Sequence, residues 1–175
     1  MLPPILFTSQ RLIKIIDFAN YFYMFRKSKY GLELFNDKTR FNFNVKLDFI
    51  QCIAFIKKSF DKFNIIIVGK INENDHISIE WIKSVLPIDF VYINVSLNWD
   101  TFDNLPFNIK NQKLKYIKQY DDYICWLLAN KLNATIISND KFRDKHQTIQ
   151  ELKGNQIYID IIHKNTSSNT CIFVN

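Results

Sequence analysis

Short uninterrupted apolar runs alternate along the chain with stretches whose apolar residues recur every three or four positions. Leu12-Ile13-Lys14-Ile15-Ile16 is one such run and ends at Asp17, the pattern of a buried strand. Ile65 to Val68, Phe90 to Val95, Thr135 to Ile137 and Ile157 to Ile162 repeat it as strands two to five, and Cys171 to Val174 reads as an edge strand or tail. Val45 to Phe60 instead sets apolar residues at 45, 49, 50, 52, 53, 56 and 60, a helical stripe with Lys46, Lys57 and Lys58 outside it. Further helices are expected over Ile77 to Leu86, closed by Pro87, over Ile117 to Leu132, and over Lys141 to Leu152, ended near Gly154. Ser96 to Lys115 reads as a loop. Strands alternating with helices imply an α/β sandwich with a mainly parallel sheet. In such sheets ligands sit beyond the carboxyl ends of the strands.

That rule draws attention to acids. Asp17 follows the first strand, Asp121 and Asp122 open the long helix, and Asp140 and Asp144 follow the fourth strand. On one helical turn Asp140 and Asp144 share a face. Asp121 falls inside the stripe of Ile117, Ile124 and Leu128, and Asp122 beside Trp126 and Ala129. A carboxylate buried there is costly unless it is paired or metal-bound. A carboxylate cluster without Cys or His selects a hard cation, Mg²⁺ or Mn²⁺. Such an ion can clamp a phosphate and activate water for attack on a phosphodiester. Each acid alone also has an ordinary reading, since Asp is favoured in the first turn of a helix and in turns after strands.

Composition narrows the choice. The chain has 175 residues, 47% hydrophobic and 23% charged, the size and balance of one domain with a sizeable core. We divide it into a short lead at 1–10 and a single domain at 11–175. No apolar run is long enough to span a bilayer, so no membrane partner is expected. With 3 Gly in all, neither a P-loop nor a dinucleotide fingerprint can be built. Cys52, Cys125 and Cys171 are odd in number and scattered, no CxxC occurs and there are 3 His. A structural zinc site is therefore not expected, and a reducing, cytoplasmic setting is. The net charge of +6 favours a polyanionic partner.

Directly after Asp17, aromatic residues (Tyr21, Phe22, Tyr23, Phe25, Tyr30) interleave with Arg26, Lys27 and Lys29, a composition that stacks bases and contacts phosphates. The alternative is a helix that packs Phe22 and Phe25 inward behind a solvated basic face. Arg40, Lys110, Lys113, Lys115 and Lys118 are candidates for an opposite wall, and His146 for a proton shuttle.

Three segments together carry a resemblance: Ile15-Ile16-Asp17-Phe18-Ala19-Asn20, Asp121-Asp122-Tyr123-Ile124, and Ile136-Ile137-Ser138-Asn139-Asp140-Lys141-Phe142-Arg143-Asp144. They resemble the PIN-like (NYN-type) nuclease domain of the Regnase endoribonucleases. That family pairs a strand ending in Asp-x-x-Asn with an Asp-Asp helix start and a Ser-Asn-Asp-x-x-Arg-Asp segment. Phe18-Ala19 stand where the family has Gly-Ser or Gly-x. The resemblance implies a PIN-like three-layer α/β/α sandwich in which Asp17, Asp122, Asp140 and Asp144 coordinate Mg²⁺ or Mn²⁺. Asp121 would support them, while Asn20, Ser138 and Arg143 position the metal water, the loop and the scissile phosphate. Arg26, Lys27, Lys29 and Arg143 are the residues expected on RNA. The implied activity is hydrolytic cleavage of single-stranded RNA, with a homodimer left open. The alternatives are a catalytically inert PIN-like module that binds RNA or protein, and a structure-specific DNA nuclease.

Overall fold

The computed structural model describes residues 5–35, 44–71, 76–97, 120–142, 149–150 and 152–175. In chain order the elements are β1 (Ile13–Asp17), α1 (Phe18–Phe35), α2 (Val45–Ser59), β2 (Asn64–Gly69), α3 (Ile79–Val85), β3 (Phe90–Leu97), α4 (Tyr120–Leu132), β4 (Thr135–Ile137), β5 (Gln156–His163) and β6 (Thr166–Phe173). The strands form one sheet in the order β4-β1-β2-β3-β5-β6. Its first four strands are parallel, β5 pairs antiparallel with β3, and β6 pairs antiparallel with β5. The chain is therefore an α/β protein with a mixed, mostly parallel sheet.

The apolar runs form the central strands because both faces of the sheet are covered. One face carries Ile15, Ile66, Val68 and Ile93 against Ile124, Cys125 and Leu128 of α4. The other carries Ile16, Ile65, Ile67 and Tyr92 against Phe18 of α1, Phe49 and Ile53 of α2, and Ile82 of α3. Helices on both faces are compatible with a three-layer sandwich. The lead is part of this packing: Ile5 and Phe7 lie against the α4-side core, and Asn64 Nδ2 donates to the Ser9 carbonyl at 2.9 Å. No helix among the described residues is long and apolar enough to cross a membrane.

Several expectations need correction. Within the stripe of α2, Ile50 is exposed and Asp48 is buried in its place. The last strand is much longer than Cys171 to Val174, since β6 pairs with all of β5 through a turn at Asn165, whose φ is 70°. The helix expected from Lys141 does not begin there. Residues 140–142 are non-helical, with Phe142 at φ 52°, while residues 149, 150 and 152 are helical. The loop expected over Ser96 to Lys115 lies outside the described residues beyond Leu97.

The connections explain where a ligand can enter. From β1 the chain steps to β2 and β3 on one side, with α1, α2 and α3 on one face. It then returns past the opposite face through α4 to β4, on the other side of β1. The direction of winding thus reverses between β1 and β4. That reversal opens a crevice at the carboxyl ends of these two strands.

Candidate metal centre

The register of the parallel pair places the site. Ile16 of β1 lies beside Ile137 of β4, so Asp17 and Ser138, one residue further on each strand, sit side by side. Side chains alternate across a strand, and Asp17 therefore shares the α4 face with Ile13 and Ile15. There it meets the first turn of α4, where Asp121 and Asp122 project. Asp17 and Asp121 are each 3% exposed and Asp122 is half-buried. The three residues offer carboxylate oxygens that all lie within 4.8 Å of one another.

Neighbouring groups hold these acids in place. The Ser138 hydroxyl donates to Asp17 Oδ2 at 2.7 Å and accepts from the Asp140 amide at 3.0 Å. The Asn20 backbone amide also bonds Asp17, while Asn20 Oδ1 accepts from the Asn139 amide at 2.9 Å. Asn20 and Ser138 thus tie the end of β1 to the loop after β4. Asp140 is exposed, and its Oδ1 accepts from the Phe142 amide at 2.9 Å, a local turn of the kind Asp favours. Lys70, directly after β2, places Nζ 3.3 Å from Asp121 Oδ1 and 4.8 Å from the centre of the Tyr120 ring.

Crowding and burial leave a clear electrostatic mark. Asp122 is pushed up to about 8, first by desolvation and then by the charges of Asp121, Asp17 and Asp140, with Lys70 pulling the other way. Asp17 is also raised, chiefly by burial, against the lowering effect of Ser138. Both shifts say that the cluster carries more negative charge than its surroundings solvate. A proton or a cation relieves it.

The structure brings together Asp17, Asp121, Asp122, Asp140, Ser138 and Asn20. Asp121, expected in a supporting position, lies in the close group of three carboxylates with Asp17 and Asp122. Asp140 belongs to a non-helical turn, so it cannot share a helical face with Asp144. Arg143, Asp144 and His146 lie outside the described residues, as do Arg40, Lys110, Lys113, Lys115 and Lys118.

The basic segment of α1 also differs from a simple phosphate-binding face. Phe22 and Phe25 pack inward, as one reading had it, and Arg26 goes in with them. Its Nε lies 2.9 Å from Asp48 Oδ2. Lys29 Nζ reaches Asp48 Oδ1 at 2.7 Å and Gln51 Oε1 at 2.6 Å, and the Tyr30 hydroxyl bonds the same carboxylate. Arg26 is thus committed to a buried ion pair and cannot reach RNA without breaking it. Lys27 is half-buried on the same helix.

Lys70 and Tyr92 are the site neighbours that sequence reasoning missed. Lys70 had a signal, because it occupies the residue after β2 just as Asp17 terminates β1. Tyr92 had none: its hydroxyl lies against Gly69, so closely that a Cβ there would collide with it. Burial and the nearby Asp121 charge hold the Tyr92 phenol protonated. No family model, no curated protein and no solved structure matches the chain.

Proposed function

We propose that this chain is a PIN-like, metal-dependent endoribonuclease that hydrolyses single-stranded RNA, with Asp17, Asp121 and Asp122 holding Mg²⁺ or Mn²⁺. The observation that carries the reading is the convergence of three carboxylates within 4.8 Å at the crevice where the winding of the sheet reverses. The donor set fits such an ion: all donors are oxygens, two of the three acids are buried, and Asp122 is raised to about 8, first by burial and then by the neighbouring acids. When bound, Mg²⁺ or Mn²⁺ would supply charge neutralisation for the phosphate and a more acidic water as nucleophile.

The chain's own groups then have distinct tasks. Ser138 fixes the Asp17 carboxylate by donating to Oδ2. Lys70 balances Asp121 from the side of β2. Asp122, whose carboxyl burial and the neighbouring acids raise, would be one of the ligands and would bind as the carboxylate, so that metal affinity would rise with pH. Asp140 adds negative charge at the rim, where its carboxylate raises both Asp17 and Asp122. The net charge of +6 supports a polyanionic substrate.

A second reading, an inert module that binds RNA or protein, gains support from Lys70. Its ammonium and a proton on Asp122 already offset part of the cluster's charge without any metal. Incubating the protein with labelled single-stranded RNA and DNA, in Mn²⁺, Mg²⁺ or EDTA, separates the readings. Cleavage of RNA only with a divalent ion, abolished in Asp17→Asn, supports the nuclease. Binding without cleavage supports the module, and preferential cleavage of DNA transfers the activity to that substrate.

A further inference from the structure

A cavity of about 580 Å³ lies on the α1 and α2 side of the sheet, beside the end of β4. Its walls are Tyr21, Met24 and Phe25 of α1 and Phe55 of α2. The Phe25 and Phe55 rings lie 6.0 Å apart, centre to centre. Met24 is 40% exposed and Phe55 52%, so these large apolar groups border the cavity while remaining open to solvent. Polar groups complete the lining: Ser28, Lys29 and Gln51, and Asn20, Ser138 and Asn139. Asn20 and Ser138 are the residues that bond Asp17. The cavity and the acid cluster are therefore adjacent compartments of the same crevice.

We infer that this cavity receives one nucleobase of the strand whose phosphate lies at the acids. The inference rests on the proposed nuclease reading and deepens it by naming how the substrate is gripped. A purely apolar guest would leave polar lining groups such as the Gln51 amide nitrogen without a partner. A strongly charged guest would gain nothing from Phe25, Phe55 and Met24. An unstacked base matches both features, with a flat apolar face for the rings and a polar edge for the amides. The Gln51 oxygen accepts from Lys29, and its Nε2 makes no hydrogen bond among the described residues, which leaves a donor for that edge. Charge agrees with the placement. Arg26 and Lys29 share the single carboxylate of Asp48, so this end of the crevice keeps one positive charge next to a strand that carries phosphates.

The test measures binding of the full chain to a short fluorescent single-stranded RNA by anisotropy in EDTA, alongside a set of the same RNA lacking one base at each position in turn. Phe55→Ala and Met24→Ala remove exposed wall groups, and thermal melting checks that both fold. Phe55→Trp retains a stacking surface. Expected is a loss of about tenfold in affinity for intact RNA in Phe55→Ala, a smaller loss in Met24→Ala, and retention in Phe55→Trp. For the RNA lacking the base at one particular position, Phe55→Ala should bind no worse than wild type. Wild-type affinity of Phe55→Ala and Met24→Ala for intact RNA overturns the inference, and so does an equal loss on every RNA of the set. Absence of RNA binding by the wild type overturns it together with the nuclease reading. If the base-dependent loss occurs but Mn²⁺ gives no cleavage, the base site stands and the nuclease reading falls.

Discussion

Asp122 links burial to pH at the scale of one residue. Its carboxyl moves from an ordinary 3.8 to about 8 in the folded chain, so between those values the folded state holds a proton that the unfolded state has lost. Stability of the metal-free protein must then fall as pH rises from about 4 to about 8, and level off above that window. Asp17 acts in the same direction. Thermal melts in EDTA across that range should show a declining Tm for wild type and a flatter profile for Asp122→Asn. Asp48 illustrates the opposite case, a fully buried carboxylate paired with Arg26, Lys29 and Tyr30. Asp48→Ala removes the buried carboxylate that Arg26 pairs with and should cost about 3–5 kcal/mol, measurable by urea denaturation; a loss below about 1 kcal/mol would show that the ion pair matters little. Asp121 was legible as a buried acid because it falls within the apolar stripe of α4. Asp48 was not, because its donors come from α1 and only tertiary packing brings them to it.

At the scale of elements, Gly69 at the end of β2 makes room for Tyr92 of β3. A Cβ at Gly69 would meet the Tyr92 hydroxyl, and the Tyr92 ring packs against Phe18 and Phe49, leaving little room to retreat. Gly69→Ala should therefore destabilise by about 1–3 kcal/mol. Adding Tyr92→Phe, which deletes the hydroxyl, should restore much of that loss, and equal stability of the single and double variants would place the strain elsewhere. The central strands could be read from the sequence because burial on both faces makes them continuous apolar runs. β6 could not, since Thr166 to Thr170 carries hydroxyl and amide side chains on a mostly exposed edge, and no periodicity marks such a strand. The segment after β4 misled for a local reason: Phe142 takes a left-handed backbone, φ 52°, which a helix running on from Lys141 would not allow.

Across the whole molecule, the order of strands gathers the site from residues far apart in sequence. Recognising that acids follow strands sufficed to select Asp17 and Asp140, whereas the close grouping of Asp17 with Asp121 and Asp122 depended on how α4 crosses the sheet. With a net charge of +6 on the chain, affinity of the proposed RNA substrate should fall with salt at a slope near −0.7 per phosphate contact. Titrations at several ionic strengths check this, and a salt-independent affinity would remove the electrostatic part of the account. A divalent ion bound to the folded state alone should raise Tm, by about 2.7 kcal/mol of stability at a hundredfold excess over Kd. That rise should vanish in Asp17→Asn.

The central claim is that the three converging carboxylates hydrolyse RNA through a divalent ion. Its most direct test is the single-turnover cleavage rate of labelled single-stranded RNA by wild type and Asp122→Asn at saturating Mn²⁺, with EDTA as control. The account predicts cleavage by the wild type that EDTA abolishes, and a rate at least about 100-fold lower in the folded Asp122→Asn variant, equivalent to roughly 2.7 kcal/mol in barrier height. Equal rates in the two proteins, or cleavage that persists in EDTA, would contradict it.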